Sequence, residues 1–153
     1  MAAATPGVRW PPPLAFLAAL AVGYALQLAV PVPVLPEWLR WGGALVLGLP
    51  GAGLFAWTLR EMRRARTPVE PWHAAESLLT HGPFALSRNP IYLGMTALTG
   101  ALGLALGLPW ALAALALVVA VIDRAVIARE EAHLAARFGG AYDAYRRRTR
   151  RWV

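Results

Sequence analysis

The residues best suited to chemistry fall in two short stretches. One is THGPFALSRNPIYLG, residues 80–94; the other is the adjacent carboxylate pair Glu130 and Glu131. Arg88 brings a fixed positive charge. Asn89 followed by Pro90 reads as an N-cap and a first helical residue, so a helix is expected to begin there and run on through Ile91 and Tyr92. The free N–H groups of a helix start, fronted by an arginine, suit an anionic group such as a carboxylate. A carboxylate side chain, in turn, accepts hydrogen bonds from the amino or hydroxyl groups of a bound molecule. The expectation is that the stretch and the pair form two halves of one cofactor site.

Each of these residues also has a plainer reading. Adjacent helical positions point about 100° apart, so only one of Glu130 and Glu131 can face a given pocket squarely. Both could instead be a solvated pair among arginines. Asp123 and Arg124 fall near the end of an apolar span, and Ile127 and Ala128, four residues on, carry no opposite charge. A charge at that depth needs a partner on another helix or a watery cleft, unless the side chain snorkels to the interface. Tyr92, Trp110 and Trp152 suit an interfacial aromatic belt. His73, His81 and His133 are too scattered for a metal set and no HxxxH or HExxH occurs, so no metal site is expected. Without any cysteine, disulfides, thiolate sites and cysteine nucleophiles are excluded.

The elements that position these residues are apolar. Of the 153 residues, 58% are hydrophobic and only 15% charged, a balance that points to a membrane protein with a single domain. Four spans can be laid out: Leu14 to Val30, about Gly42 to Leu59, Pro90 to about Gly107, and Trp110 to about Ala128. A Pro-rich connector, residues 31–41, separates the first two. Pro50 is expected to kink the second, where Gly48 and Ala52 have a small-xxx-small spacing. A hydrophilic segment of about thirty residues precedes Pro90, a length that is usually functional. Within it, Glu76 to Leu79 is expected to make a short interfacial turn or helix. The fourth span should continue as a helix through REEAHLAARF until Gly139 and Gly140 break it. An amphipathic piece with Tyr142 and Tyr145 on one side follows, ending in arginines and Trp152.

Charge gives the topology. All fifteen basic residues are arginines and the formal net charge is +7. With four spans, Arg9, the Arg60–Arg66 cluster, Arg88 and the C-terminal arginines fall on one side and only Arg40 on the other. The positive-inside rule puts both termini, the long loop and the C-terminal segment in the cytosol. It also accounts for the basic charge, so nucleic acid is not an expected partner. Membrane lipid is, because the terminal arginines can rest on an anionic leaflet.

The order GPF, RNPIYLG, apolar helical hairpin, REEAHLAARFG and AYDAYRRRTRRW resembles the integral-membrane methyltransferases of the isoprenylcysteine carboxyl methyltransferase and phospholipid methyltransferase superfamily. The resemblance runs from about Thr67 to residue 153, leaving residues 1–66 as two accessory membrane helices. It implies S-adenosylmethionine as methyl donor, held between the loop before the hairpin and the helix leaving it. By this resemblance the aromatic of the Gly-Pro-aromatic turn is Phe84. The Arg-His-Pro-x-Tyr-x-Gly motif falls on Arg88, Asn89, Pro90, Tyr92 and Gly94, with Ile91 at its variable position. Glu130 and Glu131 match the Glu pair, Glu131 being expected closer to the cofactor, while Glu76, Ser77, Leu78 and Leu79 should line the same pocket. Arg88 and Arg129 are the candidates for a catalytic or acceptor-orienting role. Asn89 stands where the motif has His, and an amide cannot take up a proton as imidazole does. The implied acceptor is a lipophilic or lipid-like carboxylate, thiol or amine. Two rival readings are an NADPH-dependent reductase of the sterol reductase type, which shares the Arg-x-Pro-x-Tyr-x-Gly turn but has many more spans, and a non-catalytic membrane interaction protein.

Overall fold

The structure, a computed structural model, describes residues 11–67 and 77–153. Arg9, His73 and Glu76 lie outside the described residues. Among those described, every regular element is helical: α1 (Pro12–Ala29), α2 (Glu37–Arg64), α3 (Pro83–Leu86), α4 (Pro90–Ala105), α5 (Pro109–Val121), a π-helical segment (Ile122–Ile127), α6 (Ala128–Phe138) and α7 (Gly140–Arg148). Three stretches are long and apolar enough to cross a membrane: α1, α2 and the continuous run Pro109–Phe138. The apolar α4 is shorter, at 16 residues. At 1.5 Å per residue it rises about 24 Å. The protein is an all-α, polytopic membrane protein.

α2 begins at Glu37, before the expected Gly42, and therefore takes in the last five residues of what reads as connector. Pro36 precedes it and Glu37 sits in the first turn, where a carboxylate favours the positive helix end. It passes through Pro50 unbroken and ends beyond the apolar stretch, with Arg63 and Arg64 in its last turn. Cations there complement the negative end of the helix.

α2 packs most extensively against α4, along a seam of small residues. A Cβ on Gly51 would lie 2.7 Å from the Ala97 Cβ, and one on Gly48 would lie 3.3 Å from the Ala101 Cβ. One on Gly94 would lie 3.0 Å from the Phe55 Cβ and 3.2 Å from the Gly51 carbonyl oxygen. The interface therefore uses Gly48 with Gly51, not the Gly48–Ala52 spacing; Ala52 is exposed. Backbones in contact gain dispersion that lipid tails do not replace.

On the other side α1 packs against α5, burying Phe16, Ala19 and Gly23 from one face. Phe16 joins Tyr92, Leu115, Ile122, Val126 and Ile127 in the core. Met95, Val118 and, from the far end of the chain, Trp152 pack against that cluster. The remaining large apolar side chains of α1 and α2, such as Leu17, Val46 and Leu49, are exposed, as suits helices facing lipid.

Two breaks shape the far end of the long helix. The π-helical segment lies between the apolar α5 and the charged α6. Gly139, at φ 51°, then reverses the chain between α6 and α7. α7 buries Tyr142 and Tyr145, three residues apart on one face, and leaves Arg146, Arg147 and Arg148 exposed. The Tyr145 hydroxyl donates to the Phe84 carbonyl oxygen at 2.7 Å and so fastens α7 to α3.

Candidate functional site

The start of α4 is built differently from the expected cap. Asn89 occupies the N-cap position, but its side chain makes no capping bond. Its Nδ2 donates instead to the Arg151 carbonyl oxygen at 3.0 Å. The Asn89 N–H donates to the Ser87 Oγ at 3.1 Å, and that hydroxyl donates to the same Arg151 carbonyl at 3.0 Å. The Arg88 N–H donates to the Arg150 carbonyl oxygen at 2.9 Å. Residues 149–152 thus lie along the turn before α4, and their carbonyls take donors that were expected to meet a ligand.

Arg88 is the centre of this arrangement. Its Nε and Nη2 donate to Glu131 Oε1 at 3.1 and 2.7 Å, and its Nη1 donates to the carbonyls of Thr149 at 2.9 Å and Arg146 at 3.3 Å. Both side chains of the ion pair are nearly buried, at 11% and 12% exposure. Arg151 completes Glu131 from the other side, with Nη2 on Oε2 at 2.5 Å and Nε on Oε1 at 3.2 Å. Its remaining Nη1 donates to Asp123 Oδ2 at 3.1 Å, and Trp152 Nε1 donates to Asp123 Oδ1 at 2.9 Å. Two guanidiniums and two carboxylates therefore neutralise one another where burial would penalise any one of them alone. Hydrogen bonding to Glu131 raises the Arg151 guanidinium further above its ordinary value.

The π-helical segment makes this sharing possible. In a regular α-helix eight residues turn the chain about 80° past two full turns, which would set Asp123 and Glu131 on different faces. The wider π turn takes back part of that rotation. One guanidinium then reaches both carboxylates.

The carboxylate pair splits as adjacent helical residues must. Glu131 faces Arg88 and residues 149–152, whereas Glu130 faces α4 and accepts the Tyr92 hydroxyl at 2.8 Å on Oε1. Tyr92 is buried in the first turn of the helix that Pro90 starts, and Pro90 is buried beside it. Ile91 packs against the core cluster. Phe84 is half-buried on α3. Leu79 is buried, Leu78 is half-buried, and Ser77 Oγ lies 3.2 Å from Thr67 Oγ just beyond α2. Residues 77–79 form no helix. Arg129 is exposed on α6. Of the residues singled out from the sequence, the geometry gathers Arg88, Asn89, Tyr92, Glu130 and Glu131 around the start of α4.

Sequence reasoning missed Arg151, which it read as part of a lipid-facing basic run, and Trp152, which it read as an interfacial belt aromatic. The signal that pointed to them was Asp123, a charge at the end of an apolar span with no partner on its own helix. It also missed Tyr142. That side chain is 1% exposed, and its hydroxyl has no hydrogen-bond partner. Burial raises both the Tyr142 and the Tyr145 phenols above their ordinary value. At Tyr142 the Glu131 carboxylate adds to that rise, and Arg88, Arg146 and Arg151 oppose it.

The family model described as phospholipid methyltransferase matches residues 39–141. That range takes in nearly all of α2, the turn before α4, the Tyr92–Glu130 contact and the whole of α6; Tyr142, Arg151 and Trp152 lie beyond it. No significant match was found among curated proteins or among solved structures.

Proposed function

The chain belongs to the phospholipid methyltransferase family of membrane methyltransferases, and from that premise we propose that it transfers the methyl group of S-adenosylmethionine to a lipophilic or lipid-like acceptor at the cytosolic face of the membrane. The observation that carries this reading is the Glu130 carboxylate held at 2.8 Å by the buried Tyr92 hydroxyl, where the first turn of α4 meets the helix leaving the hairpin. S-adenosylmethionine presents an amino group and ribose hydroxyls, which are donors that a fixed carboxylate accepts. The bound donor supplies a methyl group on a sulfonium sulfur. Everything else is alignment and exclusion of water, which is what in-line displacement chiefly requires.

In this reading Tyr92 fixes the Glu130 rotamer and Glu130 grips the donor. Glu130 is favoured over Glu131 for that contact, because both oxygens of Glu131 already accept from arginines. The Arg88–Glu131–Arg151 cluster keeps the start of α4 and the long helix in register. Phe84 with Pro90 and Ile91, and Ser77 with Leu78 and Leu79, would form the apolar and polar walls. Arg129, exposed on α6, would orient the acceptor through its polar group. Asn89 serves the fold rather than proton transfer, since its amide holds the Arg151 carbonyl. A carboxylate or thiolate acceptor needs no strong base; an amine acceptor must arrive neutral or pass its proton to a carboxylate. The arginines on and just past α2 and on α7 support a cytosolic position for the site and for both termini. An apolar acceptor would enter from the bilayer.

Calorimetric titration of detergent-purified protein with S-adenosylhomocysteine tests the reading. Micromolar binding is expected in the wild type, with a loss of about tenfold or more in Glu130→Gln, since one charge-assisted hydrogen bond carries that order of affinity. A folded wild type that binds no S-adenosylhomocysteine would overturn it, and NADPH would be the next ligand to titrate.

A further inference from the structure

Tyr142 is built like a core residue and yet carries a hydroxyl that the fold does not use. Its ring packs edge-to-face on Tyr145, with centroids 6.2 Å apart. The two tyrosines sit on the same face of α7 and are both buried, but only Tyr145 has a partner for its hydroxyl. A phenylalanine would keep the packing of Tyr142 and avoid burying an unsatisfied donor, which ordinarily costs stability.

The surroundings of that hydroxyl say what would satisfy it. The charged groups acting on it are Glu131, Arg88, Arg146 and Arg151, three cations against one anion. Glu131 is already occupied on both oxygens by Arg88 and Arg151. Arg146 has only a loose pair, 3.9 Å from Asp143, and is 58% exposed. An O–H donor among guanidiniums suits an anionic oxygen. The junction of α6 and α7 just before it is open, since a Cβ added at Gly139 or Gly140 would meet nothing within 4 Å.

We propose that the Tyr142 hydroxyl is a binding group for an anionic oxygen of a substrate, either the carboxylate of the methyl donor or the phosphate of a lipid acceptor. This rests on the methyltransfer reading above and adds to it a residue outside the segment that the family model matches.

The test uses the full chain in detergent, wild type and Tyr142→Phe, with three probes. S-adenosylhomocysteine carries the carboxylate, 5′-methylthioadenosine is its nucleoside without the amino-acid end, and dihexanoyl-phosphatidic acid carries the phosphate. In Tyr142→Phe the unliganded melting temperature is expected to stay the same or rise. Affinity for one anionic probe is expected to fall about 5- to 10-fold, as loss of one hydrogen bond to a charged group implies, with methylthioadenosine binding unchanged. A fall for S-adenosylhomocysteine assigns the carboxylate, and a fall for phosphatidic acid assigns the phosphate. Unchanged affinity for both anionic probes overturns the proposal. So does a lowered melting temperature, which would mean that the hydroxyl is paired within the fold, or an equal loss of methylthioadenosine binding. If Tyr142→Phe behaves as wild type while the wild type binds S-adenosylhomocysteine, only this inference fails. If the wild type binds no S-adenosylhomocysteine, the methyltransfer reading fails with it.

Discussion

Arg151 Nη1 lies 3.1 Å from Asp123 Oδ2 while the same guanidinium holds both oxygens of Glu131. Residues 149–152 are therefore a structural wall of the candidate site rather than a loose basic run. Releasing Arg151 leaves Glu131 with Arg88 alone and Asp123 with Trp152 alone. Arg151→Ala is expected to lower stability by about 1.5–3 kcal/mol, the range for a hydrogen bond to a charged group. Thermal melts in detergent would read this, and an unchanged melting temperature would show that the contact is idle.

Arg88 should be far less tolerant than Arg151. It is nearly buried, pairs with a nearly buried Glu131, and serves two carbonyls besides. Removing one partner of a buried pair costs about 3–5 kcal/mol, so Arg88→Ala is expected to give little folded protein. Arg88→Lys should recover only part of the loss, because a single ammonium cannot reproduce the planar fork. Yield of monodisperse protein by gel filtration, compared across the three chains, checks this.

Asn89 offers a test between two roles at one position. As a plain N-cap it would accept replacement by Asp, which ranks with Asn at such sites. In this structure its amide is a donor to the Arg151 carbonyl. Asn89→Asp puts a carboxylate against that oxygen and is expected to cost at least as much as Asn89→Ala, about 1–3 kcal/mol. A melt in which Asp matches the wild type would restore the capping role.

Tyr92→Phe is expected to weaken S-adenosylhomocysteine binding about 3- to 10-fold by leaving Glu130 free to rotate, with a modest fall in stability. Binding is read by calorimetry and stability by melting. A fall in stability with no change in affinity would separate Glu130 from the cofactor.

Two substitutions in the α2–α4 seam and one on the open face of α2 have opposite expected outcomes. A methyl on Gly51 or Gly94 meets neighbours at 2.7 and 3.0 Å. Overpacking of this kind costs about 1–3 kcal/mol. Gly53 has nothing within 4 Å, so Gly53→Ala should be neutral or gain up to about 1 kcal/mol of helix propensity. Melting temperatures of the three variants in one detergent decide the matter.

Much of this was legible in advance, for reasons that can be named. Apolar runs set the helices because lipid leaves the backbone no other partner. The turn at Gly82–Pro83 and the helix start at Pro90 follow from residue chemistry. The divergence of Glu130 and Glu131 follows from helical geometry alone. What escaped was long-range or geometric. The partner of Asn89 lies 62 residues away and that of Arg88 lies 43 away, and no local pattern encodes either. Gly51 rather than Ala52 faces α4 because the facing stripe depends on how two helices cross, not on spacing within one. The π-helical segment Ile122–Ile127 is written in ordinary apolar and charged residues that would serve an α-helix equally well.

That segment gives this chain an unusual latitude in length. A turn closed by i→i+5 bonds holds one residue more than a turn closed by i→i+4 bonds. Deleting exposed Arg124 would let the helix relax to regular winding. Asp123 and Glu131 would then stand seven residues apart, about 20° short of two full turns, so everything downstream would keep nearly its present facing. Glu130 would still look toward Tyr92 and Glu131 toward Arg88. The same deletion in the regular winding of α5 would swing both carboxylates by about 100° and part both pairs. One letter can be dropped from these six positions at a cost that the preceding helix would not forgive.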